Sequence, residues 1–404
     1  MFSFRRRREV FIESPRYTER FGSIRLNHVQ KVVALDSGLK SELPPHGAMG
    51  VIKIDEETIK HFEDRMAVII PVKDEKLKLI EGVVSGVPHD CLVIVVSNSQ
   101  REKVDRFRME GDALSQLCRF TIRQALFVHQ KDPAIGEAMG EAGYHDLLGE
   151  DGLVRDGKSE AMLIGLLMAK VVGKEYIGFI DADNYFPGAV LEYVRNYTAG
   201  FSLAQSPYSM VRILWHYKPK ISGGLFFKKW GRISVVTNKY LNDLISIRTG
   251  FETEVVKTGN AGEHAMSMKL AEILPYASGY AVEPQELVSI FEDFGGILPT
   301  KNRRAMEQGI DIFQIETRNP HLHEEKGDEH LQGMLLAAMS TIYHSPLCVA
   351  ELKQVILAEL VKQGILKEGE EPLPVHIAIP PKKANPNKFL SAIQGELDKY
   401  YVLR

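Results

Sequence analysis

Short apolar runs alternate with amphipathic stretches over residues 61–200, a pattern that predicts strands alternating with helices. Ala67-Val68-Ile69-Ile70-Pro71-Val72, Leu92-Val93-Ile94-Val95-Val96 and Ala125-Leu126-Phe127-Val128-His129 each read as a strand buried on both faces. A fourth run, Tyr176-Ile177-Gly178-Phe179-Ile180, ends in Asp181-Ala182-Asp183. Leu77, Ile80 and Val84 recur at helical spacing between the first two runs, closed by Gly86 and Pro88. Residues 158–171 predict a further helix leading into the fourth strand. This order argues an α/β fold: a parallel, Rossmann-like nucleotide-binding sheet with helices on both faces. Ligands bind such sheets at the carboxyl ends of the strands. Polar residues follow each run there: Lys73-Asp74-Glu75, Ser97-Asn98-Ser99, Gln130-Lys131-Asp132 and Asp181-Ala182-Asp183.

The rest of the chain is less regular. Residues 1–60 read as a polar, irregular extension, with a loop at Pro44-Pro45 and Gly47. Residues 201–345 mix aromatic strands with helices such as 262–274 and are expected to supply acceptor and metal contacts to the 61–200 half. Residues 346–404 read as a C-terminal arm, rich in proline and lysine over 366–388. No internal repeat is visible.

Composition narrows the class. The formal charge is −3 over 404 residues, so no global field favours nucleic acid. Three distant cysteines, Cys91, Cys118 and Cys348, predict neither a disulfide framework nor a zinc knuckle and fit a reducing cytoplasm. Arg5 to Arg8 precede no apolar segment and read as a solvated tail rather than a secretory signal. No apolar run reaches the ~18 residues that span a bilayer. A homodimer is left open.

Aspartates at the end of a core strand need something positive to hold. A divalent cation bridging a sugar-nucleotide diphosphate meets that need, because hard cations take carboxylate and phosphate oxygens together. Asp183 would reach the metal, and Asp181 ribose or water. In Asn319-Pro320-His321-Leu322-His323, two imidazoles two residues apart share one face of extended chain, and the pattern does not choose between them. With Asp183 they would complete a site for Mg²⁺, Mn²⁺, Co²⁺ or Zn²⁺. Gly152 to Ala161 is a polar loop opening a helix, with Lys158 near its N-terminus, where anions are favoured. Arg212, His216, Lys218 and Lys220 interleave with Trp215 and Tyr217, and Gly231-Arg232-Ile233-Ser234 has the chemistry of a phosphate clamp. Asn260 to Ser267 is expected to open an amphipathic helix, with Glu263 either capping it or bonding sugar hydroxyls.

Six segments in order now acquire a common meaning: Val72-Lys73-Asp74-Glu75, His129-Gln130-Lys131-Asp132-Pro133, Gly149 to Arg155, Asp181 to Gly188, Gly262 to Ser267 and Asn319 to His323. Together they resemble the mannosyl-3-phosphoglycerate synthases, retaining glycosyltransferases of the GT-A type, from about Tyr17 to His330. The resemblance implies transfer of mannose from GDP-mannose to 3-phosphoglycerate, a step toward mannosylglycerate. It implies a divalent metal on Asp183 and one histidine of the pair. The donor and its metal are expected to meet Pro71, Lys73, Glu75, Asn98, Gln130, Lys131, Lys158, Asp181, Ala182 and Asp183, with Asp183, Lys158 and Glu263 at the chemistry. Related glucosyl-3-phosphoglycerate synthases hold the acceptor phosphate on a Gly-Arg-Val-Thr loop. Gly231, Arg232, Ile233 and Ser234 match it with two conservative changes, and Arg212 is expected beside them. A glucosyl-transferring relative using an NDP-glucose is the near alternative.

Other classes fit less well. Haloacid-dehalogenase phosphatases also end a strand in Asp-x-Asp, but on an early strand, whereas three strands precede Asp181 here. Sugar nucleotidyltransferases carry a glycine-rich pyrophosphate loop after the first strand, where this chain has Lys73-Asp74-Glu75. A non-catalytic nucleotide-binding module would bind GDP without turnover.

Overall fold

The computed structural model describes residues 8–35, 50–184, 186–215, 218–222, 225–229, 232–322, 327–396 and 401–403. The strands are β1 (Val10–Glu13), β2 (Thr18–Phe21), β3 (Ile24–Asn27), β4 (Gln30–Leu35), β5 (Val51–Ile54), β6 (Met66–Val72), β7 (Leu92–Ser97), β8 (Ala125–His129) and β9 (Tyr176–Phe179). They continue as β10 (Ser209–Leu214), β11 (Lys218–Ser222), β12 (Leu225–Lys229), β13 (His264–Ser267), β14 (Tyr276–Ala277), β15 (Ile310–Glu316), β16 (Ile377–Ala378) and β17 (Val402–Leu403). The helices are α1 (Glu56–Glu63), α2 (Leu77–Gly86), α3 (Arg106–Thr121), α4 (Pro133–Ala142), α5 (Lys158–Val171), α6 (Pro187–Leu203) and α7 (Arg232–Thr249). The others are α8 (Met268–Ala271), α9 (Val282–Phe294), α10 (Arg303–Gln308), α11 (Asp328–Tyr343), α12 (Ala350–Lys362) and α13 (Pro386–Glu396).

One mixed sheet organises the molecule, in the order β17-β8-β7-β6-β9-β13-β10-β15-β4-β1-β5, with the β2–β3 hairpin attached through β15. Strands β6, β7, β8 and β9 are parallel. Strand β13 runs antiparallel to both β9 and β10, and β15 runs parallel to β10. One rim of the sheet therefore carries the carboxyl ends of β6 to β10 and β15 together with the amino end of β13. That rim positions the site.

Side chains alternate along the strands and feed two cores. Ile69, Ile94, Val96 and Val128 pack under α4, α5, α9 and α11, whereas Val68, Ile70, Val93 and Phe127 pack under α1, α2, α3 and α6. Glycines let one helix on each face come close to the sheet. A Cβ at Gly165 of α5 would stand 2.5 Å from Ile69 Cγ2, and one at Gly200 of α6 would stand 2.5 Å from Val211 Cγ2. Among the described residues no helix is long and apolar enough to cross a membrane.

The expected strands and the helices at Leu77–Gly86 and Lys158–Val171 are present. Two expectations fail. Residues 1–60 are not irregular in their described parts: they hold five strands and the start of α1, and β3 and β4 join the sheet through β15. These strands are four to six residues long, too short for an alternation to stand out. The turn between β2 and β3 needs glycine: Gly22 sits at φ +59, and a Cβ there would meet the Gly295 backbone at 2.4 Å. Residues 366–388 are more than an extended arm. β16 pairs with β14, and α13 follows, burying Phe389 and Ile393 in the α5-side core. Strand β17 then pairs antiparallel with β8 at the edge of the sheet.

Gly165→Ala is predicted to cost about 1–3 kcal/mol of stability by overpacking, read by chemical denaturation. An unchanged midpoint would show that α5 has room to move off Ile69.

Candidate active site

The loops at the rim are tied to one another. Asn98 Nδ2 donates to Asp156 Oδ1 at 2.9 Å, and Lys131 Nζ pairs with the same oxygen at 3.2 Å. The Asn98 amide and, after it, the Lys131 ammonium hold the Asp156 carboxyl below its ordinary range, against the opposing effect of burial. Gln130 is fully buried; its backbone N–H donates to Ser97 O at 2.7 Å, and its side-chain amide donates to the Arg155 carbonyl. Asp74 adopts the left-handed region, φ +57, and its N–H donates to Ser99 Oγ at 2.7 Å. Beneath these loops the buried Glu110 carboxylate accepts from Ser97 Oγ and Ser99 Oγ, both at 2.6 Å, while burial pushes its pKa up. Arg106 donates to the Glu75 carbonyl and fixes the loop that follows Pro71 and Lys73. The sequence pattern found the loop residues but not Asp156, Glu110 or Arg106, whose role appears only once distant segments meet.

Lys158 opens α5 and lies at the centre of the rim. Its Nζ pairs with Asp181 Oδ1 at 2.6 Å and with Glu283 Oε1, at the start of α9, at 2.8 Å. Burial alone would pull the Lys158 pKa down; the two carboxylates outweigh it and hold the ammonium well above its ordinary value. A Cβ at Gly262, just before β13, would stand 2.6 Å from Asp181 Oδ2 and 3.3 Å from Lys158 Nζ, so glycine there leaves the pair its room. Glu283 carried no signal in the sequence: it lies 125 residues from Lys158.

Gly262 and Glu263 do not open a helix, contrary to expectation. His264–Ser267 form β13, held between β9 and β10, and only the short α8 follows, capped by Ser267. Backbone bonds to two neighbouring strands outweigh the helical spacing of Met266, Leu270 and Ile273. Glu263 is fully buried, and its Oε2 accepts from Trp215 Nε1 at 2.9 Å. Trp215 in turn stacks on His321, with ring centroids 3.9 Å apart and planes 7° from parallel. His321 Nδ1 lies 3.2 Å from Tyr193 Oη and 3.4 Å from Asn184 Nδ2. Asn184 follows Asp183, which is 7% exposed, so the imidazole stands beside the strand end that bears the aspartates. Ala182 between them is buried.

Among the described residues no group of three or more His, Cys, Asp and Glu side chains is arranged to hold a metal ion. His323 lies outside the described residues. Asp183 and His321 supply one carboxylate and one imidazole, which fits a cation whose other ligands are phosphate oxygens and water.

Arg212 is not an acceptor ligand. It is 0% exposed, Nη1 pairs with Glu286 Oε2 at 3.1 Å, and Nε and Nη2 donate to the carbonyls of Thr258, Gly259 and Glu283. His264 Nε2 contacts the other Glu286 oxygen at 3.1 Å. The guanidinium holds α9, and with it Glu283, against the loop before β13. The sequence pattern saw a cation among aromatics and had no means of seeing a buried carboxylate 74 residues away. Gly231 and the side chains of Arg232, Lys218 and Lys220 lie outside the described residues, as do His216 and Tyr217. Arg232 begins α7, so Ile233 and Ser234 occupy its first turn. Ser234 lines a cavity of about 390 Å³ that Trp215 separates from Glu263, with Asn260, Arg16, Lys31 and Lys257 also on its wall. The last three were not anticipated; Arg16 and Lys31 belong to the segment expected to be irregular.

A family model described as mannosyl-3-phosphoglycerate synthase matches residues 14–393. A mannosyl-3-phosphoglycerate synthase of Pyrococcus furiosus is 47% identical over 388 residues, covering 96% of this chain and 98% of that protein. One of Aeropyrum pernix is 37% identical over 395 residues, covering 97% and 99%. The chain belongs to the mannosyl-3-phosphoglycerate synthase family. As a member of that family it is a glycosyltransferase. Its fold is similar to that of a GT-A glucosyl-3-phosphoglycerate synthase of Mycobacterium tuberculosis crystallised with Mn²⁺, UDP-glucose and phosphoglyceric acid. That likeness has a TM-score of 0.50 at 19% identity and covers 81% of this chain and 93% of the other.

Within this mannosyl-3-phosphoglycerate synthase family fold, Arg212→Met is predicted to cost about 3–5 kcal/mol, because Glu286 is left charged and buried. Guanidinium denaturation reads the loss. A variant of normal stability with a raised acceptor KM would return Arg212 to the ligand set.

Proposed function

We propose that the protein transfers mannose, with retention, from GDP-mannose to 3-phosphoglycerate, giving mannosyl-3-phosphoglycerate and GDP. The observation that carries this is the convergence on one sheet rim of Asp181, Asp183 and Lys158 with the loops bearing Lys73, Glu75, Asn98, Gln130 and Lys131. Loops at the carboxyl ends of β6, β7 and β8 form the nucleotide cradle. Asp183 and His321 would hold a divalent cation, which when bound supplies positive charge to the diphosphate. Lys158 adds a fixed ammonium at the N-terminus of a 14-residue helix, where negative charge develops as GDP departs.

The acceptor side is the cavity beyond Trp215. Its cations suit a small acid with two anionic groups, and the first turn of α7 offers Ser234 and helix N–H groups to the phosphate. Glu263, held by Trp215, bonds hexose hydroxyls. The acceptor hydroxyl attacks the anomeric carbon on the face the phosphate leaves, and its proton passes to the departing phosphate oxygen. A trapped covalent mannosyl-enzyme, as retaining glycosidases form, would contradict that course.

Asp183→Ala is expected to abolish turnover at any metal concentration, measured as mass-detected product. Arg232→Ala is expected to raise the acceptor KM, since a charged phosphate hydrogen bond worth roughly 1.5–3 kcal/mol corresponds to roughly a 10- to 150-fold change. Product formation by Asp183→Ala, or an acceptor KM at the wild-type value in Arg232→Ala, would refute the respective assignment.

A further inference from the structure

We infer that Glu110 is a positioning residue for the nucleotide: through Ser99 it holds Asp74, and with it the Lys73–Glu75 turn, in the shape that receives the donor. The inference rests on the nucleotide cradle proposed above. Glu110 lies on α3 in line with Leu114 and Cys118, the buried stripe of that helix, where an apolar residue is the rule. It is 1% exposed. A carboxylate in such a place costs stability unless its oxygens are bonded. Oε2 accepts from Ser97 Oγ and Oε1 from Ser99 Oγ, each at 2.6 Å.

The two hydroxyls pass the constraint on to the rim. An ionised carboxylate only accepts, so each serine proton points at Glu110 and each serine oxygen is left to accept in turn. Ser99 Oγ takes the Asp74 N–H at 2.7 Å, and Ser97 Oγ takes the Ser99 N–H at 3.2 Å. Asp74 stands at φ +57, a conformation that a residue with a side chain holds only where its surroundings enforce it. Its Oδ1 accepts from the Gln100 N–H at 3.1 Å, and Arg106, one helical turn before Glu110, donates to the Glu75 carbonyl. Lys73 and Glu75 flank Asp74, so the shape of this turn sets where both of them stand. The Asn98 N–H donates to Val72 O at 2.8 Å, which joins the same turn to the next loop of the cradle. Glu110 itself lies beneath the loops and touches no ligand in this scheme.

The test is calorimetric binding of GDP, with Mg²⁺ present, to the full-length protein and four variants. Ser99→Ala breaks the link between Glu110 and Asp74 and is expected to weaken GDP binding about tenfold, the equivalent of one buried hydrogen bond. Glu110→Leu restores an apolar stripe on α3 and is expected to weaken it in the same direction. The double variant Glu110→Leu/Ser99→Ala should bind GDP as Ser99→Ala does, because the two residues act through one contact. Ser97→Ala removes a buried hydroxyl from the same carboxylate but not from Asp74, and should leave GDP affinity close to wild type. A wild-type affinity in Ser99→Ala overturns the inference, and this variant decides the matter alone if Glu110→Leu does not fold. A loss in Ser97→Ala as large as in Ser99→Ala, or losses that add in the double variant, overturn it as well. Failure of the unsubstituted protein to bind GDP is a separate result, one that removes the nucleotide cradle and the inference with it.

Discussion

One ammonium between two carboxylates ties the site together. Lys158, Asp181 and Glu283 come from the start of α5, the end of β9 and the start of α9, and no two of these segments adjoin in sequence. Without the Lys158 ammonium, two carboxylates would face each other unpaired in a partly dry crevice, so the arrangement holds only if all three elements are in register. The register has its own supports. Gly262 gives Asp181 the room it occupies, and the buried Arg212–Glu286 pair locks α9 to the loop before β13. A cation fixed in this way would need no reorganisation if negative charge developed beside it.

The rim is built from two separate parts of the chain. Loops after β7 and β8 are tied to the loop before α5 through Asn98, Lys131, Gln130 and Asp156, and the loop after β6 to that after β7 through Asp74 and Ser99. Beyond Trp215 the cavity wall is drawn from β4, the loop before β13 and α7, a different part of the chain. Trp215 touches both sides: its N–H holds Glu263, and its face covers His321. The indole therefore links the cavity to the strand end that carries Asp183.

Much of this was legible in the chain, for reasons that differ by element. Strands β6, β7 and β8 are apolar on both faces, so composition alone marks them, and the polar residues after them fall at the rim because sheet topology puts them there. Lys158 was legible because a glycine loop opens its helix. Arg212 misled because a buried arginine and a phosphate-binding one look alike until the carboxylate opposite is known. The local structure at Glu263 was misassigned, since Met266, Leu270 and Ile273 have helical spacing and His264–Ser267 becomes a strand only through its two neighbours. Arg16 and Lys31 were hidden because the strands around them are short and join the main sheet through β15, nearly 300 residues away.

The central claim is that the carboxyl rim of this sheet holds the diphosphate of a GDP-sugar through a cation at Asp183. A crystal structure with GDP and Mn²⁺ measures this most directly. The account predicts anomalous density for manganese in contact with Asp183, His321 and both phosphates, with the nucleotide lying over the loops of Asn98 and Gln130. Nucleotide bound elsewhere, or manganese with no contact to Asp183, would contradict it.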